Sequence, residues 1–230
     1  MNDLTHRIEG IAAPLPIANL DTDQIMPKQF LHGIDKKGLA GGVLWDLRFT
    51  GDGQPRPGFV LNRPEYAATR ILLAGPNFGC GSSREHAVWG LQQYGIQAVI
   101  ASAYGEIFWS NAMNNRLLAV LLPEDQVQAL IAESEAAAEP LALAIDVEAM
   151  TVASPARTLP FTLGDRHRAM FLKGTDMIGA SLEHRDAIEA FARRHWDAQP
   201  WVKDVAARTR ARLDGVDEAA APHAASASPR

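Results

Sequence analysis

The chain has 230 residues, 47% of them hydrophobic, and a formal net charge of −5. That is enough apolar material for one sizeable core, while the acidic balance, with no basic cluster carrying interleaved aromatics, excludes a nucleic-acid footprint. No apolar stretch approaches the roughly 20 residues that span a bilayer, the first residues lack the basic-then-apolar order of a secretory leader, and a cytoplasmic setting without membrane contact is expected.

Ile8 to Ala13 alternates weakly and predicts a first strand, closed by Pro14 and Pro16. The run Asn19-Leu20-Asp21-Thr22-Asp23-Gln24-Ile25-Met26-Pro27 is dense in side chains that bond their own backbone and form turns. His32 to Gly42 is polar and glycine-rich, a mobile loop by composition between short helical pieces. Asp52 to Gly58 is a loop, and Asn62-Arg63-Pro64 starts a short helix or turn. From Ile71 onward strands and helices alternate. Strands are expected at Ile71–Ala74, Ala98–Ala101 and Leu117–Leu122, with helices at about Ser83–Tyr94 and Glu106–Asn114. A third helix runs from Pro123 to about Ala138. This is the pattern of parallel βαβ units. Leu141–Ile145, Thr151–Val152 and Phe161–Leu163 then read as short strands of a β-rich region, followed by helices near Arg166–Lys173 and Leu182–His195. Residues 1–202 are expected to form the folded domain and 203–230 a disordered, Ala-rich tail.

The most informative stretch is Gly79-Cys80-Gly81-Ser82-Ser83-Arg84-Glu85-His86, between the Ile71 strand and a helix. Its glycines allow a tight turn and close approach to a ligand. Ser82 and Glu85 have capping-box spacing, which predicts a helix start at Ser82 or Ser83. A helix start presents free N–H groups and partial positive charge, and Arg84 adds a planar, two-pronged donor. Arginine in a first turn works against the helix dipole unless an anion neutralises it. The stretch therefore predicts a site for a small anion, although a glycine-rich turn with a capping serine also occurs as plain structure. A P-loop and a nucleophile elbow are both excluded by the spacing. The single cysteine, Cys80, rules out an internal disulfide and cannot by itself hold an iron–sulfur cluster. The seven histidines show no metal-ligand spacing.

The segments Asn19 to Pro27 with Phe30-Leu31, and Asn77 to Ala87, together resemble the small subunits of 3-isopropylmalate dehydratase, which are similar to the swivelling domain of aconitase. Trp45 to Phe49, Ile107 to Asn111 and Leu182 to Trp201 extend the resemblance over roughly residues 5–202. It implies an α/β fold, a three-layer β/β/α swivelling domain with a parallel βαβ core. It implies a heteromeric hydro-lyase that interconverts 2-isopropylmalate and 3-isopropylmalate through 2-isopropylmaleate in leucine biosynthesis. The partner would be a large subunit that holds the iron–sulfur cluster, whose iron polarises the departing hydroxyl, so that this chain binds no cofactor or metal itself. The substrate class is a small dicarboxylic hydroxy acid. By position, Ser82 aligns with the catalytic base, while Ser83 and Arg84 hold a substrate carboxylate. Asp23 aligns with an aspartate that orients a histidine from across the cleft, here on the large subunit; the plain alternative is an Asx-turn aspartate. His86 is read as holding a neighbouring loop, Cys80 as a small buried filler, and the Ile34 to Leu39 loop falls where this family distinguishes substrates. Three positions depart from the family: Arg116 where a glycine is usual, Val88 where proline is common, and Pro76 where arginine is common. These leave open a paralogue acting on 2-methylmalate/citraconate or dimethylmalate, and, in another class, a non-catalytic carboxylate-binding regulatory module.

Overall fold

A computed structural model describes residues 6–31 and 36–215. Among these, seven strands form one mixed sheet: β1 (Arg7–Leu15), β2 (Thr69–Ala74), β3 (Ala98–Ala101), β4 (Leu118–Leu121), β5 (Ala142–Asp146), β6 (Thr151–Ala153) and β7 (Thr158–Pro160), in the spatial order β4-β3-β2-β1-β5-β6-β7. The helices are α1 (Thr22–Ile25), α2 (Trp45–Arg48), α3 (Glu85–Tyr94), α4 (Glu106–Asn114), α5 (Glu124–Ala136), α6 (Asp165–Lys173), α7 (Met177–Leu182), α8 (Arg185–Ala198) and α9 (Val205–Leu213). The expected α/β class with a parallel βαβ core is present: β1 to β4 are mutually parallel, and β5 turns back antiparallel on β1.

Burial explains the two halves of the sheet. Ile71 to Ala74, all of β3, and Leu118 to Val120 are buried, the near-continuous apolar run of parallel strands covered on both faces. α3 adds Ala87, Val88 and Leu91 to that core, and α5 packs along β1, β2 and β3. Gly90 lets α3 come close to the segment after α1, since a Cβ there would collide with Met26 Cε. β5 and β6 alternate buried and accessible residues, as strands with one wet face do, and in β7 only Leu159 is half-buried.

Several boundaries move for physical reasons. β1 runs on through Pro14, because β5 pairs with β1 only as far as Ile11 and Pro14 lies past that ladder. The third short strand is Thr158–Pro160 rather than Phe161–Leu163; β7 is an edge strand, where proline is tolerated. The helix expected from Ser82 or Ser83 begins at Glu85. Arg116 takes the left-handed position (φ 63°) that a glycine usually fills after α4. The chain closes there with a Schellman pair, Leu117 N–H to Ala112 O (2.9 Å) and Arg116 N–H to Met113 O (3.3 Å). Of the polar loop His32 to Gly42, residues 32–35 lie outside the described residues, and Leu39–Gly42 is a 3-10 turn.

By compactness the chain divides after Ala180. The second unit contains α8 and α9, and α8 presents Ile188, Phe191 and Trp196 as exposed side chains. α9 lies inside the segment expected to be tail: its Val-Ala-Ala-Arg-Thr-Arg-Ala-Arg-Leu run is made largely of strong helix formers. Residues 216–230 lie outside the described residues. No helix of the described residues is long and apolar enough to cross a membrane.

Candidate active site

The carboxyl ends of β1, β2 and β3 lead into three loops that meet. The first two carry the motif residues, and both open with an asparagine in the left-handed conformation: Asn19 (φ 55°) and Asn77 (φ 58°), joined by Asn77 Nδ2 donating to Asn19 Oδ1 at 2.8 Å. Asparagine tolerates that conformation better than most residues. Beyond this pair the two loops run side by side. Gly79 N–H donates to Leu20 O (2.7 Å) and Thr22 N–H to Cys80 O (2.9 Å). The third loop closes underneath, with Phe78 N–H on Ala103 O (3.1 Å) and Gly105 N–H on Phe78 O (2.9 Å). Gly79 (φ 72°) sits over Phe108, where a Cβ would stand 2.6 Å from the Phe108 Cβ and overlap its ring.

On this frame the structure brings all four candidate residues together. Arg84 Nη1 pairs with Asp23 Oδ1. The same nitrogen is buried and makes no hydrogen bond among the described residues, so the contact is a charge pair without good donor geometry. The Arg84 side chain is 20% exposed and that of Asp23 52%. Ser82 and Ser83 are exposed, two residues and one residue before Arg84. The predicted capping box at Ser82 and Glu85 is not made: Arg84 is the N-cap of α3 with extended backbone, and Glu85 accepts from Asn115 Nδ2 (2.5 Å) instead. A capping box does form one loop away, where Asp21 accepts from Gln24 N–H and Gln24 from Asp21 N–H. The Asx role considered for Asp23 therefore belongs to Asp21.

The surroundings sort themselves by partner. Cys80, expected as a buried filler, is partly exposed and its thiol donates to Asn19 O at 3.3 Å. His86 leans on the Trp89 ring (centroids 4.8 Å apart), and Lys36 Nζ lies 4.4 Å over the same ring. Trp89 Nε1 donates to Asn115 Oδ1 (2.9 Å), which ties α3 to the end of α4. Tyr104, beneath the site, donates to Val99 O (2.7 Å); burial holds its phenol well above the ordinary value, so it stays protonated. Thr22, which reading the residues singly does not pick out, is 1% exposed and donates to Ser82 O at 2.8 Å. Its only sequence signal is its place between Asp21 and Asp23.

The arrangement is an open edge. A groove of about 530 Å³, bounded by Pro14, Ile17, Phe59, Tyr66 and Pro140, includes none of the candidate residues. Among the described residues no group of three or more His, Cys, Asp or Glu could hold a metal ion. What the edge offers is two accessible hydroxyls beside a cation, a combination suited to an anionic substrate.

Comparison with known proteins identifies the relatives of the chain. Residues 2–125 match the aconitase C-terminal domain, and residues 177–205 match the C-terminal domain of the 3-isopropylmalate dehydratase small subunit. The chain is 65% identical over 207 residues to 3-isopropylmalate dehydratase small subunit 1 of Chromobacterium violaceum, covering 90% of this chain and 97% of that one. It is 42% identical over 201 residues to small subunit 2 of Salmonella typhimurium, covering 87% and 96%. The crystal structure of 3-isopropylmalate dehydratase from Methanocaldococcus jannaschii superposes with a TM-score of 0.57 at 25% identity, covering 81% of this chain and 99% of that one.

Proposed function

The chain belongs to the 3-isopropylmalate dehydratase small subunits, built on the aconitase C-terminal domain, and we propose that Asp23, Ser82, Ser83 and Arg84 are its share of the active site. It is a small subunit of a hydro-lyase that works with a large subunit in leucine biosynthesis, isomerising 2-isopropylmalate and 3-isopropylmalate. The observation that carries the residue assignment is the meeting of Arg84 with Asp23 beside the exposed Ser82 and Ser83.

Arg84 and the Ser83 hydroxyl hold a substrate carboxylate. Ser82 Oγ then takes the carbon-bound proton. The electron pair left on carbon forms the double bond as the neighbouring hydroxyl leaves, and water returns with the two positions exchanged. Serine is a weak base near neutrality, so its alkoxide needs a positive field, for which Arg84, two residues on, is the candidate fixed charge. Asp23, half-exposed, faces the large subunit and a histidine there. With one cysteine and no three-ligand group among the described residues, this chain does not fit an iron–sulfur cluster, which we assign to the large subunit. Ser82→Ala, reconstituted with the cluster-bearing large subunit, is expected to lose about 10²- to 10⁴-fold in turnover of 2-isopropylmalate, with substrate binding retained. Unchanged turnover would favour a regulatory module. A higher kcat/KM on 2-methylmalate than on 2-isopropylmalate would favour the shorter acid.

A further inference from the structure

We propose that Thr22 is a positioning residue that fixes the pose of Ser82 through its hydroxyl, an inference that rests on Ser82 being the base. Three consecutive residues of the first loop each hold the second: Asp21 bridges to Cys80, Thr22 holds both Cys80 and Ser82, and Asp23 pairs with Arg84. Only the middle one is buried. Thr22 sits at the start of α1, itself fixed by the Asp21–Gln24 capping box, and its own carbonyl accepts from Met26 N–H (3.0 Å). Its position is thus set before it touches the motif turn.

A buried hydroxyl needs a partner, and the Ser82 carbonyl is that partner. The bond fixes more than one atom. The peptide joining Ser82 to Ser83 is planar, so holding its carbonyl restrains the plane that carries both serine Cα atoms, and with it the two side chains. No regular structure shares this task, because α3 begins only at Glu85 and Gly81 before the turn is left-handed (φ 88°). With the hydroxyl gone, the Ser82 carbonyl can turn to water and the turn loses its reference. A base displaced by a fraction of an ångström loses rate without losing binding.

The test uses the complex of full-length chain and large subunit, with 2-isopropylmalate as substrate. Thr22→Val keeps the shape and removes the hydroxyl; we expect kcat to fall about 10- to 100-fold with KM changed by less than about threefold. Thr22→Ser keeps the hydroxyl and should return kcat to near the wild-type value. In a double-mutant cycle, Thr22→Val added to Ser82→Ala should slow turnover no further, since both act through one group. Should Thr22→Val fail to fold, the pair Thr22→Ser and Thr22→Ala decides instead, as both lack the methyl and differ only in the hydroxyl: lower kcat in the alanine form supports the role, equal kcat overturns it. Wild-type kcat in Thr22→Val, a multiplicative loss in the double variant, or a loss repaired by saturating amounts of the large subunit would each overturn it. Full turnover in Ser82→Ala would remove the base assignment itself, and is read in an arm that does not involve Thr22.

Discussion

The two halves of the sheet handle their strand ends differently. β1, β2 and β3 run parallel, so their carboxyl ends point the same way, and the loops leaving them are forced together at one edge. β5, β6 and β7 alternate direction through short connections and gather no such cluster. All four candidate residues lie on the first edge. Parallel strands buried on both faces supply a rigid platform, and the irregular backbone above it carries the side chains that meet a ligand. The antiparallel half contributes stability, and the division of labour can be tested by disturbing each half in turn.

The largest effect is expected at Gly79, where the motif loop crosses over Phe108. Alanine there must adopt φ near 72° and overlap the Phe108 ring, which adds left-handed strain of about 1–2 kcal/mol to overpacking of about 1–3 kcal/mol. Gly79→Ala should therefore lower the unfolding free energy by about 3 kcal/mol in urea titrations and abolish turnover. Arg84→Lys comes next: it keeps the charge but loses the planar fork, and should cost about 10- to 100-fold in kcat/KM with stability unchanged. In the other half, Ile145→Val removes a fully buried methylene from β5. The expected loss is about 1 kcal/mol, with kcat untouched. A drop in kcat there would mean that the antiparallel half shapes the site after all.

Legibility followed the same division. β3 and α4 fall on their sequence expectations residue for residue, because turn-forming residues bound them on both sides. The Ser-Ser-Arg run stood out in the sequence as a candidate site, yet its local geometry was not readable there. Capping-box spacing is found both at Asp21–Gln24 and at Ser82–Glu85, and of these two only the first is made. What decides between them is tertiary: the Ser82 carbonyl is engaged by Thr22, and Glu85 is engaged by Asn115. Neither partner is near in sequence, so no local pattern could reveal them. Cys80 illustrates the same limit, since a small apolar residue beside glycines reads as filler until the loop is seen to leave it at the rim. Arg116 could be flagged from sequence because a glycine is usual there, and the chain accepts the left-handed conformation rather than reshaping the corner.

The smallest effect concerns the contact that links α4 to α6. The His167 ring stands edge-on to Trp109, with centroids 5.0 Å apart. Burial, and secondarily the charge of Arg166, push its pKa below the ordinary 6.5. The folded protein therefore binds fewer protons at His167 than the unfolded chain does. Its contribution to stability is fully present above pH 6.5 and is lost as pH falls through the folded-state value. Thermal melts at about pH 7.5 and about pH 5.5 should show a larger fall in Tm for the wild type than for His167→Gln, since the carboxylates titrate alike in both. His167 is not one of the four candidate residues, and kcat measured at the higher pH should be the same in the two proteins. Parallel melting curves would mean that the ring packs on Trp109 equally well when charged, as a cation over an aromatic system can.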